Sequence, residues 1–159
     1  NGLSAAPYWG YVSAGATAVD TGTATTTYTT PAALQDSKYN YKFFLVRVLA
    51  AATDIAAANT VGGDLELPIT GTVVSCGAYT DTAGVSATAI IDLLYNATSI
   101  ISATRVTIDT SEKSSRTAAT AYSLTTTAVS VGGLITCNVV STHTTSGKGL
   151  TYWIQVRQT

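Results

Sequence analysis

His143 is the only imidazole in the chain and sits in a polar run, His143-Thr144-Thr145-Ser146-Gly147. Serine-type hydrolysis needs an imidazole held between a hydroxyl nucleophile and a carboxylate. No Gly-x-Ser-x-Gly elbow is present to supply the nucleophile, so His143 reads as a solvated loop residue. Asp81, Asp92, Asp109 and Glu112 are the carboxylates that could do paired acid–base work. A glycosidase needs two of them at a fixed separation in a cleft, and nothing in the sequence places any two together. Their spacing also lacks the alternating oxygen ligands of an EF-hand-like calcium loop. The reading is therefore no catalytic residue, no metal and no cofactor.

Cys76 and Cys137 each fall among apolar residues of the same strand parity. Two readings stand: a pair of small buried hydrophobes, or a disulfide closing a loop of about 60 residues and stabilising by roughly 4 kcal/mol. Two cysteines are too few for a disulfide framework and too far apart for a zinc knuckle. Asn96-Ala97-Thr98 matches the N-glycosylation sequon, but it lies where a two-residue hairpin turn belongs, and the turn reading is preferred. The aromatic residues are the remaining candidates. Nine Tyr and two Trp in a chain with 11% charged residues suggest contact surfaces, either between subunits or under stacked sugars. The residues singled out as interface are Tyr8, Trp9, Tyr11, Tyr39, Tyr41 and Trp153.

The elements that must position these residues are strands. Residues 39–49 carry apolar side chains on both parities: Tyr39, Tyr41, Phe43, Leu45 and Leu49 on one, Phe44, Val46 and Val48 on the other, with Arg47 the exception. That predicts a strand covered on both faces. An Ala-rich stretch follows, and any helix is expected only as a turn or two around Ala50 to Ala58. Period-2 alternation then recurs over 70–80, 86–95, 99–108, 134–142 and 150–157. Residues 109–116 are charged and read as a surface loop, and 117–131 are small and polar, anchored by Tyr122, Leu124, Val129 and Val131. The expected core is Val74, Ile91, Leu93, Ile108, Ile135, Val139, Tyr152, Ile154 and Val156. Short strands every 10–15 residues with Gly, Asn or Asp between them indicate a sandwich or jelly roll.

The fold class expected is therefore all-β, a jelly-roll-like antiparallel β-sandwich with an extended N-terminal arm. The division expected is an arm over 1–37, a strand with its Ala-rich connection over 38–68, and the sandwich module over 69–159. The arm holds Tyr8, Trp9 and Tyr11 but only two charged residues, Asp20 and Asp36, so it should seek burial against a surface.

Composition narrows the function classes. Among 159 residues Thr occurs thirty times and Ala twenty-four times, and the formal net charge is −1. This balance argues against a nucleic-acid footprint or a polybasic membrane patch. No run approaches 18 apolar residues, as a membrane-spanning helix needs. The chain starts at Asn1 and has no Met, so a processed or truncated start is expected, and no signal-peptide pattern opens it.

From Ile69 to Gln158 the order of motifs is Ile91-Asp92, Asn96, Ile100, Ile108-Asp109, Glu112-Lys113-Ser114-Ser115, Gly132 to Thr136, and Lys148 to Ile154. This resembles the small β-sandwich modules of tailed-bacteriophage virion proteins, found in capsid decoration (cement) proteins and in head or tail fibres. The resemblance spans about 90 of the 159 residues and carries no catalytic signature. It implies a jelly-roll-like module, usually a homotrimer, located on the capsid surface. The partners implied are the major capsid protein or another virion protein, with host surface glycan for a fibre. A bacterial surface sandwich, or a fragment of a polysaccharide-active enzyme, is the competing class. On this reading, deleting residues 1–37 should leave a folded module that no longer assembles or decorates capsids. Full capsid occupancy and unchanged oligomeric state in the truncated protein would show the arm to be an idle linker.

Overall fold

The computed structural model describes residues 40–57, 62–125 and 128–159. Contacts divide the chain into Asn1–Tyr41 and Lys42–Thr159, and the second unit carries the sheets. The described residues form strands β1 (Tyr41–Asp54), β2 (Leu65–Glu66), β3 (Gly71–Tyr79), β4 (Ala89–Tyr95), β5 (Thr98–Ser99), β6 (Val106–Ile108), β7 (Ala128–Val129), β8 (Leu134–Ser141) and β9 (Lys148–Gln158). They contain no α-helix.

One sheet has the order β1-β9-β3-β7. The other runs β2-β8-β4-β5, with β6 also on β4. With the short β5 set aside as a hairpin extension of β4, the pairs β1–β9, β2–β8, β3–β7 and β4–β6 are those of one long hairpin folded back on itself. The pairs β3–β9 and β4–β8 roll that hairpin into two layers. This is the strand order of a jelly roll, as the sequence predicts. Strands of small β-branched and aromatic residues with one apolar parity have no other way to bury that parity than against a second sheet.

Between the layers lies one apolar core. From β9 it takes Leu150, Tyr152, Ile154 and Val156, and from β3 Val73, Cys76 and Ala78. The second sheet supplies Ala89, Ile91 and Leu93, then Val106 and Ile108, then Ile135, Cys137 and Val139. Ile55, Leu67, Ile100 and Ile101 complete it from outside the strands. Tyr152 is fully buried because its hydroxyl has partners: it donates to the carbonyls of Gly63 at 2.9 Å and Ile135 at 3.2 Å.

Val74 does not belong to this core, against expectation. The β3–β9 register shifts between Val73 and Ser75, a bulge that leaves Val74 without an opposite residue. A bulge resets which parity points inward. Val73 therefore faces the core and Val74 is 36% exposed, while Cys76 and Ala78 keep the inward side. A second shift between Ile90 and Ile91 leaves Val140 without an opposite residue on β8, where it already lies on the outward parity with Leu134, Thr136 and Asn138.

Four other expectations are corrected. The helix expected around Ala50–Ala58 is not formed over its described residues, 50–57: Ala50–Ala52 continue β1, which runs to Asp54, because pairing with β9 outweighs alanine's helix preference. The strand expected over 39–49 is covered on one face only. Phe44, Val46 and Val48 pack against the core, whereas Phe43 and Leu45 are exposed. Val131, expected as an anchor, is exposed on the turn before β8. The strand expected from residue 86 begins at Ala89, since Ser86 and Ala87 take left-handed backbone at φ 58° and 62°.

Asn96 and Ala97 form the hairpin turn into β5, with φ of 47° and 66°, the two left-handed positions of a type I′ turn. The Asn96 side chain accepts the Leu134 N–H at 3.0 Å, so this sequon position serves the turn. Replacing Ile154 by Ala should cost about 2–5 kcal/mol in a urea titration, and Val74→Ser should cost less than about 0.5 kcal/mol. The reverse ranking would place the bulge on the wrong side of β3.

Candidate interaction face

The outer face of the β1-β9-β3 sheet is built around Trp153. On β9 the residues that point away from the core are Thr151, Trp153 and Gln155. Phe43 of β1 stacks on Trp153 with ring centroids 5.5 Å apart and planes 23° apart. On the strand opposite, Gly77 is the residue directly across from Trp153. A Cβ there would lie 2.6 Å from the indole ring, so the indole can lie flat across β3 only over a glycine. The Arg116 guanidinium sits over the indole, 4.9 Å from its centroid, a cation–π arrangement. Covered by these neighbours, Trp153 is 9% exposed, while Phe43 is 54% and Leu45 56% exposed.

Hydrogen bonds along the second edge of β3 fix the loops around this face. β7 takes up Gly71 and Thr72. The Tyr122 hydroxyl accepts the Cys76 N–H at 2.9 Å and lies 3.2 Å from the Ser75 hydroxyl. The Ser115 hydroxyl accepts the Ala78 N–H at 3.0 Å, and the Ser115 N–H donates to the Ala78 carbonyl at 3.0 Å. The Thr80 N–H donates to the Lys113 carbonyl at 2.8 Å. An edge that would otherwise expose backbone donors and acceptors is thus spent on the 113–122 segment. Two depressions of about 450 and 460 Å³ flank the stack and share Phe43, Arg116 and Trp153 as walls.

Arg47, the odd residue of its parity, is explained here: it ion-pairs with Asp81 and donates to the Thr151 hydroxyl at 3.3 Å. Trp153, named from the sequence, stands at the centre of the face. Tyr41 is half-buried at the start of β1. Tyr8, Trp9, Tyr11 and Tyr39 lie outside the described residues. Arg116 lies in the segment read as a charged surface loop, so its contribution is not foreseen, while Tyr122, expected as an anchor of 117–131, also serves this face through its hydroxyl.

The other sheet presents a different outer face. Leu134 and Val140 of β8 are 42% and 44% exposed, with Thr136 and Asn138 between them and Ile90 and Leu94 of β4 alongside. Asp92, which shares that side of β4, is buried and neutralised by the Arg105 Nε at 3.1 Å and the Ser99 hydroxyl at 2.6 Å.

The candidate acids do not converge. Asp81 serves Arg47, Asp92 serves Arg105, Asp109 accepts the Ala119 N–H at 2.8 Å, and Glu112 accepts the Thr117 hydroxyl. Among the described residues no group of three or more metal-ligating side chains assembles. His143 is not a solvated loop residue: it is 2% exposed and packs over Gly84. Its Nε2 lies 3.3 Å from the Asp109 carbonyl. A carbonyl only accepts, so that contact requires the proton on Nε2 and leaves the buried Nδ1 without a partner. The buried ring holds the loop down, which the polar sequence around it conceals.

Cys76 and Cys137 are both free and buried, as members of the apolar core. Burial, chiefly, pushes both thiols up to about 12, the Asp92 charge adding to it in each case and the Tyr122 hydrogen bond opposing it at Cys76. Burial also raises the Tyr152 phenol, with Cys137 and Asp64 adding to it.

Gly77→Ala should cost about 1–3 kcal/mol by overpacking against the indole and shift the tryptophan emission; an unchanged spectrum and stability would mean the indole does not cross β3. Thiols raised from an ordinary 9.0 should resist alkylation in the native protein at about pH 8 and react once it is denatured. Since folding holds the protonated form, their contribution to stability is full below pH 9 and fades as pH rises towards 12. A native protein that alkylates as fast as the denatured one would refute their burial.

No protein-family model, no curated protein and no solved structure matches this chain.

Proposed function

We propose that the chain is a non-catalytic structural protein of a tailed-bacteriophage virion, a capsid decoration protein that stands on the outer surface of the head as a homotrimer and binds the major capsid protein. The observation that carries this reading is the outer face of β4 and β8, where Leu134 and Val140 stand exposed beside Thr136 and Asn138 and the one charge on these strands, Asp92, is buried and paired with Arg105. A face of that composition suits docking on a neighbour or a shell, where apolar contact and amide or hydroxyl hydrogen bonds replace charge. The resemblance over Ile69–Gln158 supports it, and so does the jelly-roll order, which is common among capsid and lectin domains; that second support is analogy of fold. Asp81, Asp92 and Asp109 have different side-chain partners and His143 meets Asp109 only at its backbone carbonyl, so these candidates form no paired acid–base group.

A double variant, Leu134→Asp with Val140→Asp, tests the proposal. Both side chains are exposed, so the variant should fold with an unchanged far-ultraviolet spectrum. It should sediment as a smaller species than the parent and fail to co-sediment with undecorated capsids. A parent protein that is monomeric and ignores capsids, or a variant that trimerises and decorates like the parent, would overturn the reading.

A further inference from the structure

We infer that the groove around Phe43, Trp153 and Arg116 is a binding site for a carboxylated sugar residue of an acidic polysaccharide. It lies on the sheet opposite to the proposed assembly face, so it does not depend on that assignment. The first ground is charge. Arg47, Arg105 and Lys148 each have a carboxylate partner. Among the described residues Lys113 and Arg116 have none, both are exposed, and both line the depression beside Phe43 and Trp153. No Asp or Glu lines either depression. Two uncompensated cations at one place, in a chain of net charge −1, mark a site for an anion.

The second ground is the shape and chemistry of the walls. Phe43 offers a flat exposed ring, backed by Trp153 and held in place by it. A pyranose presents one face of C–H bonds that packs on such a ring and a rim of hydroxyls. Ser75, Ser115 and Gln155 line the depression on one side of the stack, and Tyr79, Thr80 and Ser114 line the one that holds Lys113; hydroxyl and amide groups can donate and accept as vicinal hydroxyls require. The volumes, about 450 and 460 Å³ on either side of the stack, fall within the range of small-ligand sites.

The third ground is rigidity. The loop carrying both cations is tied to β3 through Lys113 and Ser115, so little ordering is needed on binding. A nucleic acid would want a longer basic stripe, and an extended peptide would pair with a strand edge. The groove offers a ring, two cations and neutral hydrogen-bonding groups, which together match a uronate or sialate unit.

The test is a titration of the full-length protein, followed by amide and indole chemical shifts. The ligands are methyl glucuronide, the methyl glycoside of N-acetylneuraminic acid, neutral methyl glucoside, and adenosine monophosphate as a phosphate-bearing stacking control. At least one carboxylated sugar should shift the Trp153 indole and its neighbours, and bind about tenfold more tightly than the neutral glucoside. Lys113→Gln with Arg116→Gln should abolish that preference, and Phe43→Ala should weaken carboxylated and neutral sugars alike. All three substituted residues are exposed, and the far-ultraviolet spectrum checks that each variant folds. The inference is overturned by absence of shifts, by equal affinity for the acid and the neutral sugar, or by tighter binding of the nucleotide. It is equally overturned if Phe43→Ala changes the oligomeric state, because the face would then be covered by a second copy of the chain.

Discussion

Everything in this molecule hangs on a single apolar layer pressed between two sheets, and β9 and β8 are its keystones. Each is flanked on both sides, β9 by β1 and β3, β8 by β2 and β4. Leu150, Tyr152, Ile154 and Val156 of β9 face Ile135, Cys137 and Val139 of β8 across the layer, all essentially sealed from water. Interiors of this kind pack like crystals and leave little slack. The layer therefore dictates where the chain must bulge, where it must turn and which residues are pushed outward. Phe43, Leu45, Leu134 and Val140 are apolar residues left over once that layer is full.

Much of this architecture was legible in the residues. The alternation from Leu150 to Val156 and from Ile135 to Val139 has period 2 without interruption, and both stretches face the core as read. Val74 failed because its parity is broken by one extra residue, and a bulge has no signature in a run such as Thr72-Val73-Val74-Ser75. Ala50–Ala52 failed because alanine is neutral enough to accept whatever β9 imposes. His143 failed for a different reason. Its neighbours in sequence are polar, yet its neighbours in space are Gly84 and the backbone at Asp109, and only the folded chain brings those together.

The interaction face divides along the same line. Trp153 could be named from its place on a strong strand, as the member of the polar parity least suited to water. That Gly77 would lie beneath it, and Arg116 beside it, depends on a register between β3 and β9 and on the path of the 113–122 segment. Those are long-range facts, carried by hydrogen bonds from Tyr122, Ser115 and Lys113 to one strand edge. A face assembled from three distant stretches is invisible to any local pattern, even where each stretch is individually correct.

The rolled hairpin also has a consequence in time. Ribosomes deliver β1 and β3 well before β9, the strand that joins them: roughly 90 residues separate the end of β1 from the start of β9, or about 5–20 s of synthesis. During that interval Phe44, Val46 and Val48 have no sheet to lie in, and β1 is an unpaired edge of fourteen residues. Non-local closure of this kind is slow, and crowded nascent chains could zip together through it. The low charge that suits the finished surface gives the growing chain little repulsion to prevent this. A cell making the protein in quantity should thus gain more from a holding chaperone than from a stronger core.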